Sequence, residues 1–270
     1  MIDASFWRTL GLGWLIMMVA MAALWEVQRR YGKAGIVDIL WAAGVGALAV
    51  LFAVAGPGYP PRRLLIGLLA GGWSLRLTAY LLVRVLGMSE DGRYEKMKQE
   101  WGDRAQTYLF AFFQMQAFWS MLFAAPMLVA AGNAVAPLNG WDAAGAVMFV
   151  IAVFGESTAD RQLQAFRSRA SNKGKVCRDG LWRYSRHPNY FFEWLHWWAY
   201  VLIGWQAPHG WATLFGPAAM LFFLFKITGI PPTEANALRS RGDAYREYQR
   251  TTSVFFLWPP KAAERTTTPA

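Results

Sequence analysis

The chain has 270 residues, of which 55% are hydrophobic and 16% charged, and it carries a formal net charge of +10. Ordinary soluble domains are about 25% charged, so the composition argues against a soluble enzyme and against a disordered chain, and the single cysteine, Cys177, cannot close an internal disulfide. A basic balance fits either nucleic acid or a membrane protein with a basic face, and the spacing of the charges decides between them.

A spanning helix needs about 20 mostly apolar residues. Thr9 to Trp25 and Ile39 to Pro61 contain no Asp, Glu, Lys or Arg, and Leu64 to Val83 contains only Arg76. Ala105 to Trp141 is again free of charge and long enough for one helix and a loop. Ala143 to Gly155 is clean but short, so its helix extends past Asp142 or Glu156. Trp194 to Phe225 is uncharged, and Ala207-Pro208-His209-Gly210 is a turn signal that divides it. The pattern predicts an all-α polytopic membrane protein. Seven transmembrane helices are expected near 6–28, 36–56, 63–87, 106–132, 140–164, 189–206 and 211–230. Residues 1–260 form one transmembrane domain and 261–270 a flexible polar tail. The first apolar stretch is too long for a signal peptide and lacks a small-residue cleavage site, so it is expected to be retained.

Orientation follows from Lys and Arg in the connections. Connections on one side carry 21 of them and the opposite side carries only Arg8, Arg62 and Arg63. This places the C-terminus in the cytoplasm and the N-terminus outside. It also accounts for the net charge, so nucleic acid is not expected as a partner.

Most basic cytoplasmic loops serve topology and attraction to anionic lipid. Residues 160–190 are richer than that. Arg, Lys, Asn, His and Tyr alternate with Gly turns and lead into a helix bearing Glu193. Arg forks suit phosphate, Asn suits a carboxamide or base edge, and aromatic faces suit a planar ring. Lys175 and Arg178 supply cations here, and Tyr184 and Tyr190 supply faces. Asp160 and Arg167, seven apart, share a helix face, either as a ligand clamp or as the solvated side of an interfacial helix. Asn189 and Glu193, four apart, also share a face, and a carboxylate within a membrane segment is a functional candidate. Arg76 needs a protein interior or aqueous cavity, with Tyr80 one turn away. Asp38 opens the second span with Trp41 a turn on, although an Asp in a first helical turn also complements the helix dipole. His187, His196 and His209 form no ligand spacing, so no metal is expected. With no strand expected, a Rossmann site is excluded, and no Gly-x-Ser-x-Gly elbow is present.

Gly180-Leu-Trp-Arg-Tyr-Ser-Arg-His-Pro-Asn-Tyr-Phe-Phe-Glu193 resembles the signature of the steroid 5-alpha-reductase superfamily, and most of all its bacterial branch of unknown-function members. Thr228-Gly-Ile-Pro-Pro-Thr-Glu234, Gly242 to Phe255, Val37-Asp-Ile-Leu-Trp41 and Glu90-Asp-Gly-Arg-Tyr94 agree. The resemblance implies NADPH bound from the cytoplasmic side of a bacterial inner membrane. It implies reduction of a carbon–carbon double bond conjugated to a ketone in a lipophilic, steroid-like or isoprenoid substrate. It also implies that Arg76, Asp160, Arg167, Asn189 and Glu193 bind the cofactor, and Lys175, Arg178, Tyr184, His187, Tyr190 and Glu234 are expected to bind it with them. Where the steroid reductases carry a Gln-Glu pair on the second helix, this chain has Asp38 and Trp41, and Trp73 stands near the family's third-helix Tyr. Asp38, protonated in an apolar site, or Tyr80 is the expected proton donor, and Trp41 and Trp73 the expected substrate contacts. Isoprenylcysteine carboxyl methyltransferases share a similar Arg-His-Pro-x-Tyr block. S-adenosylmethionine-dependent methyl transfer is therefore the alternative. Asn189 after the Pro, and the cations of 160–178, favour NADPH.

Overall fold

The computed structural model describes residues 4–87 and 90–261. The tail expected over 261–270 lies outside them except for Lys261. In chain order the helices are α1 (Ala4–Tyr31), α2 (Ile36–Ala55), α3 (Pro60–Leu86), α4 (Gly92–Trp101), α5 (Ala105–Ala131), α6 (Gly140–Ser168), α7 (Pro188–Gly204), α8 (Phe215–Phe222), α9 (Ile230–Arg241) and α10 (Asp243–Thr251). Among the described residues no strand forms. Among the described residues six helical stretches are long and apolar enough to cross a membrane: Ala4–Tyr31, Ile36–Ala55, Pro60–Leu86, Gly92–Ala131, Gly140–Ser168 and Gly210–Arg241. The protein is an all-α polytopic membrane protein. The span expected at 189–206 is the 17-residue α7, about 25 Å long at 1.5 Å per residue and shorter than the other six. Leu12, Leu15 and Val19 on α1, Leu68, Leu75 and Val83 on α3, and Val147, Val150 and Phe154 on α6 are exposed. Such faces suit acyl chains.

Within the range expected as one domain, the helices group into two compact units, Met1–Gly145 with Tyr200–Gly216, and Ala146–Ala199 with Pro217–Ala270. In the first unit α2 packs on α1, α3 and α5. Its sequence explains this central place, because apolar and small residues surround the whole helix and leave no polar stripe. Met21, Leu48, Phe52, Phe113 and Leu128 form the core with Tyr94 from α4. Near the start of α3, Arg62 makes a paired contact with Asp142, Nε to Oδ1 at 2.6 Å and Nη2 to Oδ2 at 2.7 Å. The pair is sealed, with side chains 1% and 3% exposed.

In the second unit the polar segment between α6 and α7 is folded against residues 253–258. Ser185 Oγ donates to the Phe255 carbonyl at 2.8 Å, the Arg186 amide to Ser253 O at 2.8 Å, and the Trp258 amide to Tyr184 O at 3.1 Å. Phe255 is buried, and its ring lies 5.7 Å from both Phe191 and Trp194 and 5.2 Å from Phe225. Gly242, at φ +51°, breaks α9 from α10 in a conformation that L side chains resist.

Candidate functional site

The site-bearing segment of the second unit starts from α6, which is one continuous helix through both Asp160 and Arg167. Gly180 turns the chain back at φ +56°, where a Cβ would strike the Gln162 side chain. Gln162 Oε1 instead accepts the Leu181 amide at 2.9 Å, and Trp182 Nε1 donates to the Ala159 carbonyl at 2.9 Å. These bonds bring the Ser185–Tyr190 run back to α6, where Asn189 Nδ2 donates to Asp160 Oδ1 at 3.2 Å. Asn189 Oδ1 accepts the Tyr190 amide at 3.0 Å, which fixes the orientation of the carboxamide. The two residues that the resemblance assigned to one ligand, 29 positions apart, are therefore in direct contact.

The cations of the same segment stay open to solvent. Arg167, Lys175 and Arg178 are exposed, and Tyr184 is exposed beside them. Arg178 lies over the Tyr248 ring at 5.4 Å, and the Lys175 carbonyl accepts Arg241 Nε at 2.9 Å. Tyr248 is buried, and its hydroxyl donates to the carbonyls of Trp182 and Ser185. Burial pushes its phenol, and that of Tyr245, well up, so both remain neutral donors. Burial also pushes the Cys177 thiol up, which keeps it from acting as a thiolate.

His187, Tyr190 and Glu234 are held differently. Glu234 Oε1 accepts Arg186 Nε at 2.6 Å and Tyr245 Oη at 3.4 Å, with His187 Nε2 at 3.3 Å, and Oε2 accepts Gln249 Nε2 at 2.9 Å. The His187 and Tyr190 rings stack in parallel with centroids 5.2 Å apart, and Tyr190 Oη lies 3.2 Å from Thr233 Oγ1. A mostly buried carboxylate needs such partners. Glu234 uses both oxygens to tie the α6–α7 segment to α9 and α10. Glu193 follows Asn189 by one turn on α7, and His196 Nδ1 lies 2.6 Å from the Glu193 carbonyl oxygen.

In the first unit, Asp38 sits in a polar cluster. Its Oδ1 accepts Tyr94 Oη at 2.7 Å and its Oδ2 accepts Arg93 Nη2 at 3.0 Å. The apolar surroundings expected for Asp38 are not what it meets, because a tyrosine hydroxyl and a guanidinium converge on its oxygens. Arg93 also reaches Asp91, which caps α4 by accepting the Arg93 amide at 3.0 Å. Glu90 accepts the Ala34 and Gly35 amides at 2.9 and 3.2 Å, just ahead of α2, and Lys98 Nζ at 2.6 Å. The blocks 37–41 and 90–94 are therefore halves of one cluster. On α3, Trp73 is 1% exposed, Arg76 is half-buried and Tyr80 is 56% exposed. Trp41 packs edge-on against Phe123 at 5.8 Å. Trp73 is thus buried and Trp41 packed against α5, while Tyr80 is largely exposed.

A family model described as a protein of unknown function, DUF1295, matches residues 24–252. The chain belongs to the DUF1295 family. No curated protein and no solved structure matches it. The matched stretch contains Asp38, the 90–94 block, Asp160, Asn189 and Glu234.

The fold of this DUF1295 chain brings to the sites several groups whose local sequence does not mark them. Arg93 and Tyr94 were visible only as loop charge and motif letters, since nothing local says that they return to Asp38. Arg186, Gln249 and Tyr245 likewise find Glu234 through tertiary folding alone. Glu156 did carry a signal. It is an acid within an apolar helix, it lies four residues before Asp160, and it is 8% exposed.

Proposed function

We propose that this DUF1295 chain is an NADPH-dependent membrane reductase, similar to the steroid 5-alpha-reductase superfamily. It acts on a carbon–carbon double bond conjugated to a ketone in a lipophilic substrate. In this reading the 160–190 segment faces the cytoplasm at a bacterial inner membrane. The observation that carries it is the Asn189–Asp160 hydrogen bond, which closes a segment whose Arg167, Lys175 and Arg178 are exposed. This donor set fits the proposed cofactor. Three solvent-facing cations suit a dinucleotide with three phosphates, and the oriented Asn189 carboxamide with the Asp160 carboxylate suits polar edges. Arg167, Lys175, Arg178 and Asn189 would hold the cofactor, with Glu193 one turn further along α7, whereas Glu234 and His187 keep the loop in place.

NADPH, when bound, supplies the hydride. The protein must hold a proton near the ketone oxygen, where charge develops as the double bond is reduced. Arg93 keeps Asp38 as an acceptor, so that proton rests on the Tyr94 hydroxyl and Asp38 orients it. In this reading Tyr94 would take the donor role for which Asp38 and Tyr80 were the expected candidates. Asp38→Asn and Tyr94→Phe should retain NADPH binding and lose turnover, and full turnover in both would remove the pair from the mechanism.

The deciding experiment is isothermal titration of the detergent-purified chain with NADPH, NADH and S-adenosylmethionine, repeated on Arg167→Ala and Asn189→Ala. Saturable NADPH binding, weakened about tenfold or more in each variant, is expected from the loss of charge-assisted or oriented hydrogen bonds. Binding of S-adenosylmethionine alone would overturn the reductase and favour methyl transfer.

A further inference from the structure

A cleft of about 660 Å³ opens in the second unit between the first turn of α7 and the residues that follow α10. That volume falls within the range of small-molecule sites, about 300–1,000 Å³. Phe191, Phe256 and Trp258 give it an aromatic wall, and Arg250 and Lys261 are the charged residues in its lining. Among the described residues the lining holds no carboxylate, although Arg250 also reaches Glu247 from outside it. None of the residues assigned above to the cofactor lines this cleft.

The end of α10 should repel an anion through its carbonyls, but those carbonyls are occupied. Arg186 Nη1 donates to Gln249 O at 3.0 Å and to Thr252 O at 2.6 Å. The Lys261 amide donates to Thr251 O at 2.8 Å. What the cleft presents outward is therefore positive charge beside exposed aromatic surface, with Phe256 56% and Trp258 70% exposed. Tryptophan and cations next to a membrane helix are the groups that settle at a lipid headgroup layer.

We propose that this cleft binds an anionic glycerophospholipid of the bilayer. Its phosphate sits between Arg250 and Lys261, and the first part of its acyl chain lies along Phe191, Phe256 and Trp258. Free phosphate would satisfy the cations and leave the aromatic wall in water, and a zwitterionic lipid would bring its own cation against them. The site is independent of the reductase reading and adds to it a tie between the chain's C-terminal segment and the lipid.

The test uses the full chain in neutral maltoside detergent, titrated with dioctanoyl phosphatidic acid and dioctanoyl phosphatidylcholine and followed by native mass spectrometry. Saturable binding of a single phosphatidic acid per chain is expected, with phosphatidylcholine far weaker. The double variant Arg250→Gln, Lys261→Gln should weaken it about tenfold or more. Trp258→Ala should weaken it several-fold while leaving both cations in place. All three side chains are exposed, so lipid-free thermal melting of the variants should match the unmodified chain. Equal binding of phosphatidylcholine, or undiminished binding by the double variant, would overturn the proposal. So would displacement by inorganic phosphate, which would make the ligand a free anion, or displacement by NADPH, which would return the cleft to the cofactor.

Discussion

Arg62 meets Asp142 with side chains 1% and 3% exposed, whereas Arg93 meets Asp38 with side chains 48% and 24% exposed. Both pairs lie in the first unit and both join distant parts of the chain. At the sealed pair, the Arg62 fork fills both oxygens of Asp142 and also donates to the carbonyls of Asn133 and Val135. At the half-open pair, Arg93 is shared between Asp38 and Asp91, and Asp38 is shared between Arg93 and Tyr94. A sealed charge pair has no way to exchange partners without exposing a bare ion to a low-dielectric interior. A half-open one exchanges partners with water or ligand at small cost. The sealed end is suited to holding helices, and the half-open end to chemistry.

The largest effect should come from breaking the sealed pair. Arg62→Ala leaves Asp142 as an uncompensated buried charge, and a loss of about 3–5 kcal/mol is expected. Thermal unfolding in detergent would show it, and a melting point close to that of the unmodified chain would erase the contrast between the two ends. The second unit offers an intermediate case, since Arg186 and Glu234 are 10% and 15% exposed. Arg186→Ala should cost about 2–3 kcal/mol, because it strips Glu234 of its closest donor and leaves the Gln249 and Thr252 carbonyls short of a partner. A cost above that of Arg62→Ala would show that exposure does not rank these centres.

The contrast also explains what the sequence made legible. Apolar runs located the membrane helices, because a helix in lipid must satisfy its backbone internally and show apolar side chains outward. The Gly180–Glu193 block pointed to Asn189, and the seven-residue spacing pointed to Asp160, since both signals are local. Arg62 and Asp142 were legible only as a loop cation and a helix-boundary acid, because 80 residues separate them and no periodicity marks a tertiary pair. Asp38 was legible as a candidate but not as an ion pair. The apolar letters after it suggested an apolar site, and only folding returns Arg93 and Tyr94 to its oxygens. The last span was expected near 211–230, and the helical stretch that holds it passes through a π turn at Phe223–Ile227 before the polar α9, an irregularity that hydropathy does not encode.

Arg93→Ala sharpens the comparison through activity. Its pair with Asp38 is half-exposed, so the stability cost should stay under about 1 kcal/mol. If the reductase reading holds, turnover should fall more than about tenfold, since Asp38 loses the charge that keeps it an acceptor for Tyr94. Melting and NADPH binding measured beside turnover would separate the two effects. A variant that unfolds as readily as Arg62→Ala would place Arg93 among the anchors.

The smallest effect is expected from pH, again at the half-open end. Burial works to raise the Glu90 carboxyl, but the Lys98 ammonium and the Ala34 and Gly35 amides outweigh it and hold it below its ordinary value of 4.5. A carboxylate with a lowered folded value stabilises the fold fully above its unfolded value. That contribution fades as the pH falls through the folded value. Asp91 next to it is held low as well, by Arg93 against its own burial, so the whole-chain melting curve mixes the two. The difference in melting point between the unmodified chain and Glu90→Gln isolates Glu90. It should be largest near neutral pH and shrink on acidification below the ordinary carboxylate range. A difference that grows toward acid would mean that Glu90 gains more from its proton than from Lys98, and the cluster at the head of α2 would then have to be counted with the sealed end.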